Sequence, residues 1–198
     1  YNLLESDDVI STIVSMRKLG VEILKKDGYY EINGVGLSGF RHKNNLHLNA
    51  GNSGTFARLL CGTLAGNIKN VKVTGDSSLS KRDFKRIAKP LSKFGASFRL
   101  RNNYSLPLIV RGSQKLKSIS FFEDKGSAQC KSSVIFAGIK ADGKTIIKAK
   151  KSRNHTELLF KYLKLPIKVK RNKKFDLIEV NKVNKINPIN YRIPSDIS

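Results

Sequence analysis

Acidic residues are scarce: 15 Asp and Glu face 38 Lys and Arg in 198 residues, a formal net charge of +23. Such an excess favours anionic partners, among them nucleic acid, phosphorylated metabolites and acidic membranes. The charge is not gathered into blocks. The 27 lysines are scattered, and with 18 Ile and 16 Asn they give the composition of an AT-rich genome. Cysteine is nearly absent. Cys61 and Cys130 each sit among small or apolar residues, which excludes a disulfide framework and reads as two reduced, buried thiols in a reducing, cytoplasmic compartment. No apolar run approaches the length of a membrane span, and no signal peptide is expected. No His, Cys or Asp cluster has metal-ligand spacing, and nothing resembles a nucleophile–base pair. What is present, 39% hydrophobic residues, suffices for the core of one domain of this length.

The chain repeats itself. Three segments read as an amphipathic helix followed by a short apolar strand: SDDVISTIVSMRKLGVEIL, KRDFKRIAKPLSKFGASFRL and NHTELLFKYLKLPIKV. Spacings of three and four place Val9, Ile10, Ile13 and Val14 on one helical face. They do the same for Phe84, Ile87, Ala88, Leu91 and Phe94, and for Leu158, Leu159, Tyr162 and Leu163. Gly20, Gly95 and Pro166 punctuate the three segments at intervals of 75 and 71, a quasi-repeat of one supersecondary unit. Two helices of another kind, 56–66 and 130–141, carry small and large apolar residues around much of their circumference and are expected in the interior. YYEI, NVKVT, PLIVRG, TIIKAK and FDLIEV read as strands. The expected organisation is one domain over 1–198, with quasi-repeats near 1–75, 76–150 and an incomplete 151–198 that stops at IPSDIS, where a further helix N-cap should begin.

Two familiar patterns fail on context. GVGLSG (34–39) satisfies G-x-G-x-x-G, but the dinucleotide fingerprint needs a helix opening at its third glycine, and FRHKNNLHLN has no helical period. GIKADGKT (138–145) satisfies the Walker A pattern with its flanks reversed, a helix before it and a strand after it. NSGTFAR has the context that these lack. Asn52, Ser53 and Thr55 supply side-chain donors before a buried helix, and Gly54 lets a ligand approach the backbone. GDSSLSKRDF places Arg82 where a guanidinium can meet a phosphate or carboxylate. In GSAQCKSS, Ser127 and Gln129 open the second buried helix, and KSRNHTE opens the last helix. His155 reads there as a helix-start residue, with no partner carboxylate. The shared theme is uncharged or basic donors at helix N-termini, with no candidate for general acid–base work.

Together these stretches resemble the EPSP synthase family. NLLESDDV, GNSGTFARLL, TGDSSLSKRDFKRIAKPLSKFGA, SAQCKSSVIFAGI, SRNHTE and PSDIS match family motifs in order along the whole chain. The resemblance implies an α/β (α+β) domain, one of two in the enzyme, built from three βαβαββ units with helices inside and sheets outside. It implies transfer of the enolpyruvyl group of phosphoenolpyruvate to the 5-hydroxyl of shikimate 3-phosphate, by addition and then elimination of phosphate, without metal or organic cofactor. It places Gly54 and Arg82 at phosphoenolpyruvate with Asn52 nearby, and Ser127, Ala128, Gln129, Ser152 and Arg153 at shikimate 3-phosphate, Gln129 reaching both. Gly54 matches the position where added bulk hinders the inhibitor glyphosate in family members.

Three positions depart from the family pattern. Asp83 stands where proline is usual after Arg82, Phe56 where a smaller residue is common, and Asn154 where many relatives have Asp. The family's catalytic acid and base lie outside these motifs, so the chain, which opens at Tyr1 without a Met, is expected to be the shikimate-3-phosphate-binding domain alone and to turn nothing over by itself. The companion domain is its expected partner; a membrane is not. The alternative is a basic RNA-binding module similar to RNA 3′-terminal phosphate cyclases. Net charge supports it, but no aromatic stacking platform is evident.

Overall fold

The computed structural model describes residues 1–37 and 39–194, with the backbone alone of Asn103. The helix start expected in IPSDIS therefore falls, over 195–198, outside the described residues.

Helix α1 (Asp7–Lys18) carries Asp7 and Asp8 in its first turn and Arg17 and Lys18 in its last, each opposing the local end of the helix dipole. It stops at Gly20, whose φ of +90° and approach to the Arg41 carbonyl, 2.7 Å from where a Cβ would stand, admit glycine alone. Strands β1 (Glu22–Lys26) and β2 (Tyr29–Asn33) follow as an antiparallel hairpin. GVGLSG then runs on toward β3 (Leu46–Asn49), and the described residues between the two strands hold no helix.

Two four-stranded sheets share one topology. The first comprises β3, β4 (Val71–Thr74), β5 (Ser97–Leu100) and β6 (Leu108–Arg111), in the order β3-β4-β6-β5. The second comprises β7 (Ser120–Glu123), β8 (Lys144–Lys150), β9 (Ile167–Arg171) and β10 (Phe175–Asn181), in the order β7-β8-β10-β9. In each sheet the first two strands are parallel and the other pairings antiparallel. A parallel pair needs a crossover. Helices α2 (Gly54–Leu64) and α4 (Ala128–Gly138) supply the two crossovers, while α3 (Lys85–Lys93) and α5 (His155–Tyr162) lead into the antiparallel pairs. Each unit thus reads β-α-β-α-β-β, and α1 with the β1–β2 hairpin repeats its last three elements. Counted by its sheets, the repeat opens on β3 and β7, a different phase from the helix-to-helix count. GIKADGKT joins the end of α4 to β8, ordinary helix-to-strand geometry.

The interior belongs to α2 and α4. Both start two residues earlier than their apolar runs because Ser53 and Ser127 cap them: each sits in extended backbone, and each hydroxyl accepts from an amide three residues on, at 3.3 Å from Phe56 and 3.2 Å from Cys130. The helices cross at Gly62, where a Cβ would lie 2.1 Å from the Ser133 carbonyl oxygen. The Ser133 hydroxyl donates to the Arg58 carbonyl at 2.9 Å. Phe84, Ile87, Ala88, Leu91 and Phe94 of the α3 segment are buried as their spacing implies.

The other two amphipathic helices differ from their patterns. In α5 Leu158, Leu159 and Tyr162 are exposed, and the helix buries Phe160 and Glu157 instead. In α1 only Ile13 of the apolar set is buried, with Ile10 and Val14 exposed. The physical reason is shared: among the described residues little packs on those faces, where Tyr162 meets only the Tyr191 ring at 5.6 Å among the aromatic contacts and Val9 is only partly buried. Between α1, α2 and α4 lies an apolar groove of about 600 Å³, lined by Val9, Met16, Phe56, Leu59, Leu60 and Phe136 among others.

Candidate functional site

Equivalent positions in the two units bring the N-termini of α2 and α4 together. A cleft of about 490 Å³ opens there, lined by Arg58, Arg82, Gly126, Ser127, Ala128, Gln129, Ser152 and Arg153. A smaller one of about 140 Å³ adjoins it and shares Ala128, Gln129 and Arg153, adding Thr55, Ser132, His155 and Thr156. The larger lining contains three arginines and no carboxylate.

Gln129 ties the two helix starts together. Its Oε1 accepts from Arg58 Nη1 at 2.6 Å and its Nε2 donates to Thr55 Oγ1 at 2.8 Å, which fixes the orientation of its amide. Ser127 is committed as the α4 cap, and its own amide donates to Glu123 Oε2 at 2.9 Å. Ser152 presents a buried hydroxyl with no hydrogen-bond partner in the described structure. Arg153, exposed, makes no side-chain hydrogen bond or ion pair among the described residues. Unspent donors of this kind, facing one cleft, suit an incoming anion.

On the α2 side, Gly54 is the first helical residue, and a Cβ there would stand 2.9 Å from Arg82 Nη1 and 3.5 Å from Arg58 Nη1. The missing side chain is therefore what lets Arg82 lie over the helix start. Asn52 stands behind it and does not line the cleft. It donates to Asp76 Oδ2 at 2.5 Å and accepts from Arg82 Nη2 at 3.5 Å. Asp76 in turn accepts from the Leu79 amide at 2.7 Å, and that bond together with Asn52 holds its carboxyl below the usual Asp value of 3.8. The departure at Asp83 is spent locally: Oδ1 accepts from the Lys85 amide at 2.6 Å, so the acid beside Arg82 is turned toward the start of α3.

Arg58 is the cleft residue that sequence reasoning missed. It is almost fully buried, with its guanidinium 5.2 Å from the Phe84 ring centroid, Nη2 donating to the Asp83 carbonyl at 3.4 Å, and Nε without a partner. Burial lowers its pKa, and neighbouring Arg86 and Arg82 lower it further. The signal was available: an arginine one turn after Gly54, the single charge on a largely apolar helix. His155 opens α5, as its reading as a helix-start residue implied. Among the described residues no three His, Cys, Asp or Glu side chains gather as a metal site, and no helix is long and apolar enough to cross a membrane. Burial pushes the thiols of Cys61 and Cys130 up to about 12.

Repeated βαβαββ units whose buried helices aim their N-termini into an arginine-lined cleft define a repeat-built α/β domain with a cleft whose chemistry suits an anion. Comparison with known proteins narrows that class. A family model described as EPSP synthase (3-phosphoshikimate 1-carboxyvinyltransferase) matches residues 1–198, and the chain belongs to that family. It is 42% identical over its full length to a 3-phosphoshikimate 1-carboxyvinyltransferase of Sulfurihydrogenibium sp. (strain YO3AOP1), covering 46% of that protein. It is 41% identical to the protein of the same name from Endomicrobium trichonymphae, with 98% of this chain and 45% of that one aligned. An EPSP synthase structure from Acinetobacter baumannii superposes with a TM-score of 0.83 at 35% identity, over 93% of this chain and 41% of that one. The chain thus spans under half the length of the relatives it matches.

Proposed function

We propose that the chain is the shikimate-3-phosphate-binding domain of an EPSP synthase, and that the arginine-lined cleft is where the substrate phosphates sit. The observation that carries this reading is the cleft itself: two helix N-termini and Arg58, Arg82 and Arg153 converge on it, with no carboxylate in its lining. A helix N-terminus contributes roughly half a positive charge, so the cleft offers a phosphate dianion several positive centres and directed N–H groups. Ser127, Ala128, Gln129, Ser152 and Arg153 hold shikimate 3-phosphate. Gly54 and Arg82 face phosphoenolpyruvate, with Asn52 setting Arg82, and Gln129 stands between the two ligands. The 5-hydroxyl oxygen of shikimate 3-phosphate adds to C2 of phosphoenolpyruvate, and phosphate is then eliminated.

The proton transfers of that reaction fall to a companion domain, since the cleft lining supplies no acid or base. The apolar groove beside α1 supports a companion segment. Each complete unit sends one buried helix into the interior, and α1–β1–β2 repeats only the α-β-β half of a unit, so the groove is the place for a third interior helix. Enzyme and substrates are cytoplasmic on this reading, and glyphosate competes on the Gly54–Arg82 side. Calorimetry tests it: shikimate 3-phosphate should give a weak saturable isotherm and unphosphorylated shikimate none, with no phosphate released when phosphoenolpyruvate is added to the chain alone. Equal binding of the two compounds, or none of either, would refute the assignment of the cleft.

A further inference from the structure

Lys131 is the most deeply buried charge in the described structure, with 0% exposure, and it lies on α4 one turn inside the cleft. Its ammonium is 2.7 Å from Glu157 Oε1 on α5 and donates to the main-chain carbonyl of Arg153 at 3.0 Å. Glu157 is itself 2% exposed, and neither of its carboxylate oxygens accepts a well-aligned hydrogen bond, so the pair is close but not ideally directed. Such a pair is a poor source of stability, because desolvating two charges offsets their attraction. Its reason lies in what it holds. Helix α5 has only eight residues and Asn154 at its N-cap makes no side-chain cap bond, so the helix start has no local anchor. The segment that enters it, Ser152–Asn154, has no secondary structure, yet it presents two unspent cleft donors, Ser152 and Arg153. A second rung beside the ion pair, Ser132 Oγ to Thr156 Oγ1 at 2.7 Å, joins the same two elements.

We infer that Lys131 and Glu157 are positioning residues: the buried pair clamps the Ser152–Arg153 segment to the N-terminal turn of α4, setting the Arg153 guanidinium across the cleft from Gln129. The inference deepens the proposed function and rests on it for the identity of the ligand, but the clamp itself is a statement about the chain alone.

The test uses the Lys131→Met/Glu157→Leu double variant, which replaces the pair by apolar side chains and leaves no orphaned charge. Amide hydrogen exchange followed by NMR is read first, without ligand. Exchange at the Leu158 amide, which donates to the Asn154 carbonyl at 3.0 Å, and on through Leu163 should accelerate about tenfold or more, while the amides of α2 and the two sheets, and the melting temperature, stay close to the parent values. Unchanged protection at Leu158 through Leu163 would overturn the clamp whatever the ligand. The second arm titrates shikimate 3-phosphate into the parent, the double variant, Arg153→Ala and the triple combination. Arg153→Ala should weaken binding about tenfold in the parent and much less in the double variant, because there the guanidinium is already unplaced. Full additivity would overturn the proposal. A parent chain that binds no shikimate 3-phosphate but shows the exchange effect would defeat the functional reading and leave the clamp standing. If the double variant does not fold, Glu157→Gln keeps the volume and a donor, and the same local increase in exchange is expected there; its absence counts against the proposal equally.

Discussion

Replacing Gly54 by alanine separates the two things this position does. The new methyl carbon would stand 2.9 Å from Arg82 Nη1, 3.5 Å from Arg58 Nη1 and 3.6 Å from Leu79 Cδ1. The latter two distances are ordinary contacts. The first forces the guanidinium back by about half an ångström. Nothing in the backbone resists, since Gly54 has no left-handed φ and is the first residue of α2. Removing a glycine's freedom from the unfolded chain at such a site stabilises by about 0.4–1 kcal/mol, worth about 2 °C in a protein of this size. The displaced Arg82 loses its aim, and a misplaced charge-assisted hydrogen bond costs roughly 1.5–3 kcal/mol, at least tenfold in affinity. Thermal melting and an NMR titration with phosphoenolpyruvate, following the Arg82 side-chain N–H signal, measure both effects. The expected result is a melting temperature unchanged or raised with a midpoint at least tenfold higher. A fall of several degrees would show that the clash is not absorbed by the flexible arginine. Coincident titrations would show that Arg82 does not face the ligand.

Gly62 gives the opposite outcome under the same substitution. Its absent Cβ faces backbone, the Ser133 carbonyl at 2.1 Å, so Gly62→Ala must part α2 from α4, destabilising by about 2–3 kcal/mol or more in a melt. Cys61 and Cys130, with thiols pushed up to about 12 by burial, should resist thiol reagents in the native state at neutral pH and react only after denaturant is added. The lowered pKa of Asp76 means that its bond to the Leu79 amide is intact above the ordinary value of 3.8 and fails as pH falls through the lower native value. The Leu79 amide resonance should therefore move only below pH 3.8, and Asp76→Asn should abolish that movement.

Much of this was legible in the residues. Ser, Gly and small apolar residues in NSGTFARLLCG and GSAQCKSSVIFAG announce a capped, largely buried helix, and α2 and α4 are both, open mainly toward the groove beside α1. The α3 face was legible because the core it packs on is present. The faces of α1 and α5 were misjudged because amphipathicity reports that a helix wants a partner, not whether one is there: Leu158, Leu159 and Tyr162 obey the period and remain exposed. Strands β3 and β7 went unread, each four residues long at a sheet edge: LHLN alternates but is too short to stand out, and SFFE does not alternate. In the cleft, Arg82, Ser127, Gln129, Ser152 and Arg153 come together as their motifs implied, whereas Asn52 proves to act on Arg82 from behind. Arg58 and Lys131 were passed over for one reason. A charge inside an apolar helix has no meaning in sequence until the opposite unit supplies Gln129 or Glu157.

The most direct measurement is an amide NMR titration of the chain with shikimate 3-phosphate. Saturable shifts concentrated at Gly126–Gln129 and Ser152–Arg153, with smaller ones at Gly54 and Arg82, are the predicted result. Saturating ligand that leaves those amides in place, or that moves only the outer faces of the sheets, would contradict the assignment of the cleft.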